Sequence, residues 1–376
     1  MWKIICQNKI DEFHVYQKLG ETDHTFAIYG WIRAENLHQV HNILLKAAGN
    51  KVFMSILKVP PALKDKIPVA MENPKILEPF EDLVKIRSTP KYSDIDPSIL
   101  IAFFMPLFFG VMVGDIGYGF LLFIVSIILS RHMKKGIFWD LFKTLMYGSI
   151  WSIVFGFLNG EFFGAQGAAA IGLKALWIER EKAGNLMTLL YIALGIGAAH
   201  ITLGLIIGAW NAFVHKSKNR MLENIGMLIG LIGIFLMVGE LTHILPIGMT
   251  TPGIVILIVG LAILAFSMGK VGFFLGPIEF IGTIGNIFSY IRIAALGLAS
   301  VLLAKVANEM SSMFGSVVIG VIIAALIHAI NIVLGAFSPT IQSLRLQYVE
   351  FFRKFYEGGS TPFVPFRKIK ISENRK

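Results

Sequence analysis

A succession of long apolar stretches constrains this chain more than any other feature. They run Ile99–Ser130, Phe138–Phe163, Leu186–Val214, Leu222–Leu245, Pro252–Met268, Pro277–Glu309 and Ser316–Phe352. Several exceed the ~20 residues that an α-helix needs to cross hydrocarbon. In lipid, backbone polar groups are satisfied only inside helices or closed barrels. The chain has 376 residues, 55% hydrophobic and only 15% charged, with a mean hydropathy of +0.69. That is too apolar for a soluble domain of this length, so the fold class is a polytopic α-helical membrane protein. The net charge of +10 does not point to nucleic acid, because the basic residues collect at segment ends. Such placement serves topology and anionic headgroups of the lipid bilayer. A single cysteine, Cys6, excludes an intrachain disulfide framework and a cysteine-built metal site.

Residues 1–97 read as a partial cytoplasmic α/β domain with a linker. Met1–Leu19 is polar and lacks the apolar core of a signal peptide, so the first membrane helix is expected to be its own insertion signal. It reads as a helix. Thr25–Ile32 and Val52–Val59 are predicted strands flanking a helix from Asn36 to Ala48, and Pro60–Pro97 is a proline-rich linker with a docking segment at Pro79–Glu81. Residues 98–357 form the membrane domain and 358–376 a cytoplasmic tail. Ile99–Ser130 as one helix would be about 48 Å long, and it is interrupted by Gly114-Asp115-Ile116-Gly117-Tyr118-Gly119. Breaking and returning there places the basic Arg131–Lys135 loop, His215–Arg220 and the tail after Arg353 on one side. The opposite side receives Pro246–Thr251 and Met310–Gly315, without Lys or Arg, and Gly164–Asn185, whose bases Glu179 and Glu181 match. Charge placement thus favours eight membrane helices, with both termini cytoplasmic. Glycines at four-residue spacing (Gly156, Gly160 and Gly164; Gly204 and Gly208; Gly226 and Gly230) are predicted to bring helix backbones into contact. Ser316–Glu357 would span about 60 Å as one helix, so it tilts, kinks near Pro339 or projects from the bilayer.

Arg292 lies in the middle of the apolar run Ile278–Val306. A guanidinium stays charged wherever it is placed, and at a bilayer centre it costs roughly 2.5–3.5 kcal/mol on insertion scales. Ala295 and Ala299 share its helical face, which lets a partner approach closely. Arg345 interrupts the last segment. Two such arginines on two long helices form an ion-pathway pattern, against which stands local pairing or snorkelling to headgroups. The remaining intramembrane polar residues are Asp115, Glu161, Glu240, His243, Glu279, Lys305, Glu309 and His328, with Glu350 near the exit. Interfacial solvation accounts for Glu240, His243 and Glu309, and snorkelling for Lys305. Asp115 reads equally as a helix cap and as part of an ion path. His328 has the alternative reading of a satisfied core histidine. No phosphate-cradling motif and no histidine pair in zinc-ligand context occurs. The chain is therefore expected to hold no cofactor or metal, and nucleotide chemistry to lie on another chain.

Four stretches carry a resemblance: PLFFGVMVGDIGYG at Pro106–Gly119, FGFLNGEFFG at Phe155–Gly164, IEFIGTIGNIFSYIRIAALGLA at Ile278–Ala299, and SPTIQSLRLQYVEFFRKFYEGGSTPFVPF at Ser338–Phe366. Together they resemble the membrane subunit of A-type and V-type rotary ATPases, from about Phe26 to the C-terminus. The resemblance implies a non-catalytic, static subunit in the cell membrane, whose last two helices, long and tilted, lie beside a proteolipid ring whose subunits carry mid-membrane carboxylates. It implies half-channels for protons or sodium ions, and peripheral stalk (E and G/H type) and central-stalk-associated subunits as further partners. Arg292 matches the arginine that attracts the ring carboxylate, Arg345 the second ring-facing arginine, and Glu279 a half-channel glutamate. Asp115 and Glu161 fall within family motifs. At the position of a family glutamate, ten residues before Arg345, stands Gly335, so either another residue, Glu161 or His328, is expected to take that role or the role is absent. The family's large N-terminal domain is represented here by its last lobe and the returning end of a coiled coil, in Met1–Leu19. A free-standing ion or anion transporter and an inactive truncated remnant are the rival readings.

Overall fold

The computed structural model describes residues 2–17, 19–60, 63, 66–313 and 317–366. Contacts divide the chain into one unit of residues 72–358 and another combining residues 1–71 with 359–376. Part of the expected Met310–Gly315 loop, and residues 367–376 of the expected tail, lie outside the described residues.

In the smaller unit, α1 (Trp2–Tyr16) is followed by a two-residue hairpin, β1 (Gly20–Glu21) with β2 (Phe26–Ala27), and by α2 (Leu37–Ala48). The hairpin is antiparallel, with Gly20 opposite Ala27 and Glu21 opposite Phe26. The predicted strand Thr25–Ile32 is thus shortened to two residues, and Val52–Val59 forms no strand. The reason is the absence of a partner edge: Phe53 is 91% exposed and Ile56 75%, and an unpaired strand leaves its backbone groups unsatisfied. Val69 instead bridges the C-terminal segment, donating to Thr361 O and accepting from Phe363 N.

The larger unit starts with α3 (Glu78–Arg87), where the expected docking segment packs inward: Phe80 is buried, its ring 5.7 Å from that of Tyr147. Then come α4 (Ser98–Val113), α5 (Ile116–His132), α6 (Ile137–Asn159), the short α7 (Ala165–Ala170), α8 (Leu186–Val214), α9 (Lys218–Leu241) and α10 (Thr250–Ser267). They are followed by α11 (Gly272–Phe288), α12 (Ile291–Met313) and α13 (Val317–Arg345), which continues into a π-helical turn, Leu346–Phe351. Among the described residues, six helical segments are long and apolar enough to cross a membrane, and α4 and α5 are shorter apolar helices. The expected number of eight is therefore not fixed by helix length.

Glycines set the closest approaches. A Cβ on Gly260 would lie 2.4 Å from Gly230 N, and one on Gly156 2.4 Å from Ile116 N. No side chain fits there, so the backbones of α9 and α10, and of α6 and the start of α5, touch as the spacings require. The core of the unit gathers Phe108, Met112, Ile201, Leu205, Tyr290, Ile293 and Leu346, from α4, α8, α12, the break before α12 and the π-helical turn.

Two features depart from the expected segments. The run Pro277–Glu309 is not one helix but breaks at Ser289-Tyr290, so the chain has a second interruption besides Gly114-Asp115. Ser289 Oγ donates back to Gly285 O at 3.2 Å, a local bond that competes with helix continuation. Tyr290 is fully buried. The helix of the last segment is continuous through Pro339 and changes character only after Arg345.

Candidate functional site

The second break puts Arg292 in the first turn of α12 rather than mid-helix. A cation there faces the positive end of the helix dipole. Its counter-charge comes from the π-helical turn: Arg292 Nη1 donates to Glu350 Oε1 at 3.3 Å. The Arg292 side chain is 30% exposed, that of Glu350 only 3%. Glu350 Oε2 and both amide atoms of Gln347 are buried without a hydrogen-bond partner. His200 of α8 ties the two sides together. Its Nδ1 lies 2.5 Å from the Tyr290 hydroxyl, and its ring stacks on Phe351 with centroids 3.8 Å apart. One buried imidazole thus touches the residue two before Arg292 and the residue after Glu350. Single-turn π segments recur at functional sites, and this one turns Glu350 inward.

At the first break, Gly114 ends α4 in the left-handed region (φ 46°), and a Cβ there would lie 2.9 Å from the Arg180 guanidinium. Asp115 caps α5, accepting from Tyr118 N at 3.0 Å, Phe163 N at 3.1 Å and Gly164 N at 2.8 Å. Of its two sequence readings the cap is realised, and it also ties α5 to the end of α6. Glu161 is buried against Arg180, whose Nε donates to Glu161 Oε1 at 2.9 Å and whose Nη2 meets Glu161 Oε2. The same guanidinium donates to Val113 O at 3.0 Å and Gly114 O at 2.8 Å, carbonyls that the end of α4 leaves without helical partners. The charges from Glu179 to Lys182 in the α7–α8 connection pair in three directions. Glu179 meets Lys182 at 2.7 Å, but Glu181 meets Lys305 at 2.9 Å and Arg180 turns inward to Glu161. Lys305 is ion-paired rather than only snorkelling. Glu240, expected as an interfacial group, accepts from Gly248 N at 3.0 Å and Thr250 Oγ1 at 2.7 Å at the start of α10.

His328 on α13 sits between α5 and α12. Asn308 Nδ2 donates to Phe163 O at 2.9 Å, which turns Asn308 Oδ1 toward His328 Nε2 at 3.3 Å. That places a proton on Nε2 and leaves Nδ1 to accept from the Tyr118 hydroxyl at 2.6 Å. Glu279 is half-buried beside Glu223, and Lys354 Nζ reaches Thr283 Oγ1 at 2.7 Å in the same neighbourhood. Arg345 is exposed at the end of α13. Gly335 is buried, with nothing within 4 Å of a Cβ built on it.

The site residues thus fall into groups: Arg292 with Glu350, Asp115 and Glu161 around Arg180, His328 with Tyr118, and Glu279 with Lys354. Sequence reasoning passed over Arg180, His200, Tyr290 and Gln347. His200 lies mid-way in the apolar run Leu186–Val214, so the rule that flagged His328 flags it equally. Arg180 sits in a connection, where a charge carries no such signal.

The V-type ATPase 116kDa subunit family matches residues 1–168 and 272–368. An A-type ATP synthase subunit I of Pyrococcus horikoshii is 31% identical over 99% of this chain and 58% of its own length. That of Methanocaldococcus jannaschii is 32% identical over 94% of this chain and 56% of its own length. A V-type ATP synthase subunit I of Chlamydia pneumoniae is 25% identical over 93% of this chain and 62% of its own length. The chain spans under two thirds of the length of these relatives. The match to the family over most of the chain, with the resembling motifs seated at both helix breaks and at the π-helical turn, leads to one conclusion: the chain belongs to the V-type ATPase 116kDa subunit family.

Proposed function

We propose that this chain is the static membrane subunit of a rotary A/V-type ATPase or ATP synthase. It is non-catalytic by itself. It provides ion half-channels beside a proteolipid ring and couples proton or sodium flow to ring rotation. The observation that carries this reading is Arg292: a fixed cation in an apolar segment, part-exposed, backed by a buried carboxylate on a neighbouring turn. A cation so placed attracts a partner's mid-membrane carboxylate in its ionised form and blocks direct passage between two half-channels. Arg345 adds a second cation on the long α13. Glu279, with Glu223 and Lys354, lines one half-channel. Asp115, Glu161 and His328 lie along the other, with Asp115 and Glu161 chiefly holding its shape. The basic loops support a cytoplasmic position for both termini, and in this reading peripheral and central-stalk subunits are the further partners.

The test is recovery of the tagged chain in mild detergent, with its companions identified by mass spectrometry. Ring subunits are expected, and stalk subunits where the N-terminal unit suffices to hold them. The second helix break favours a free-standing transporter to one degree, because broken helices in both halves mark such proteins. A folded chain recovered alone in good yield would support that reading and overturn ours.

A further inference from the structure

Glu350 has one hydrogen-bond partner given by the geometry, Arg292, and its other oxygen is buried and unpartnered. A guanidinium carries five N–H donors, of which a single nitrogen engages Glu350, at 3.3 Å. The other donors belong to a side chain that is 30% exposed. The pair is therefore asymmetric: the carboxylate is locked inside and the cation reaches outward. The lock is built from both sides. His200 holds Tyr290 through a 2.5 Å hydrogen bond and Phe351 through stacking, while Phe104 of α4 packs on His200 at 4.2 Å. The polar and titratable groups around Glu350 are Arg292 and Tyr290 across the α11–α12 break, His200 from α8, and Gln347 on its own turn.

We propose that Glu350 is the resident counter-charge of Arg292, balancing the guanidinium so that each arriving carboxylate of the ring is held briefly and then released. This rests on the rotary reading above. An unbalanced Arg292 holds an ionised carboxylate at its surface too firmly for rapid exchange. Glu350 draws the positive charge inward and weakens that hold, and its own burial keeps it from following the carboxylate that leaves. Glu350 acts through Arg292 and is a positioning residue, as is His200.

The experiment uses the assembled complex in vesicles and follows coupled ion transport against pH for Glu350→Gln, Glu350→Asp and Arg292→Ala. Glu350→Gln is expected to lower maximal turnover and to move the acid limb of the profile to lower pH. The sign follows from the charge: with Arg292 unbalanced, the ring carboxylate favours its ionised form, and more acid is needed to load it. The shift is about one pH unit, at the low end of the effect of a close opposite charge. Glu350→Asp is expected to keep the wild-type profile. Gln347→Glu combined with Glu350→Gln moves the charge three residues back within the same buried turn and is expected to restore most of the profile, so the inference stays testable if Glu350→Gln alone fails to assemble. A wild-type profile in Glu350→Gln, in a complex where Arg292→Ala abolishes transport, would overturn the inference and leave the rotary reading intact. Reduced turnover with an unmoved profile in both Glu350→Gln and the charge-relocated variant would also overturn it, by marking a merely structural role. Transport surviving in Arg292→Ala would instead sink the rotary reading.

Discussion

Arg180→Ala is the substitution whose cost the structure sets most sharply. The guanidinium and the Glu161 carboxylate are 4% and 3% exposed, so removing the cation strands a buried carboxylate. Breaking such a pair from one side costs about 3–5 kcal/mol. The same change leaves Val113 O and Gly114 O without their donor, adding about 1 kcal/mol for each of the two bonds. The sum is about 5–7 kcal/mol, which raises the unfolded fraction roughly several thousand-fold or more. The double variant Arg180→Ala with Glu161→Gln removes the stranded charge and is expected to recover more than half of the loss. The assay is an unfolding titration of the purified chain in mixed micelles, read by far-UV circular dichroism. Arg180→Ala within about 1 kcal/mol of wild type, or a double variant no more stable than the single, would refute the buried-pair reasoning.

Gly260→Ala is expected to cost about 1–3 kcal/mol in the same titration, because its Cβ would lie 2.4 Å from a backbone nitrogen of Gly230 that has nowhere to go. Wild-type stability would show that α9 and α10 are not in backbone contact. Asp115→Ala is expected to cost about 2 kcal/mol, the upper end for a helix cap, since one carboxylate serves three N–H groups. Hydrogen exchange at Tyr118, Phe163 and Gly164 is expected to accelerate together in Asp115→Ala and less in Asp115→Asn. Acceleration at Tyr118 alone would contradict the link between α5 and the end of α6.

The legible part of this molecule was the part governed by hydropathy and glycine. Leu186–Val214 is a helix over the very residues its apolar run spans, Gly114-Asp115 is a break, and of the spaced glycines Gly156, Gly226 and Gly230 lie at helix–backbone contacts, whereas Gly160 abuts the connection at Ala175. These follow from local rules that lipid makes strict. The break at Ser289-Tyr290 was not legible, because no glycine or proline marks it. It rests on a buried tyrosine held by a histidine ninety positions away in sequence, and tertiary bonds of that kind leave no periodic trace. The π-helical turn was hidden for the same reason: Leu346–Phe351 continues the apolar pattern of α13 without a breaker. Arg292 was legible as a residue that needs a partner, and Glu350 as a polar residue near the exit of the last segment; their pairing was not. In the smaller unit Val52–Val59 has every mark of a strand and no neighbour to pair with, so composition alone misled.

Arg292 is where the account is most exposed to test. Coupled ion transport by the complex reconstituted in vesicles should be compared for wild type, Arg292→Ala and Arg292→Lys, each first shown to retain its ring subunits. The account expects both variants to assemble and neither to transport, since lysine keeps a charge but loses the planar fork and deprotonates when buried. Near-normal coupled transport in Arg292→Ala would contradict it.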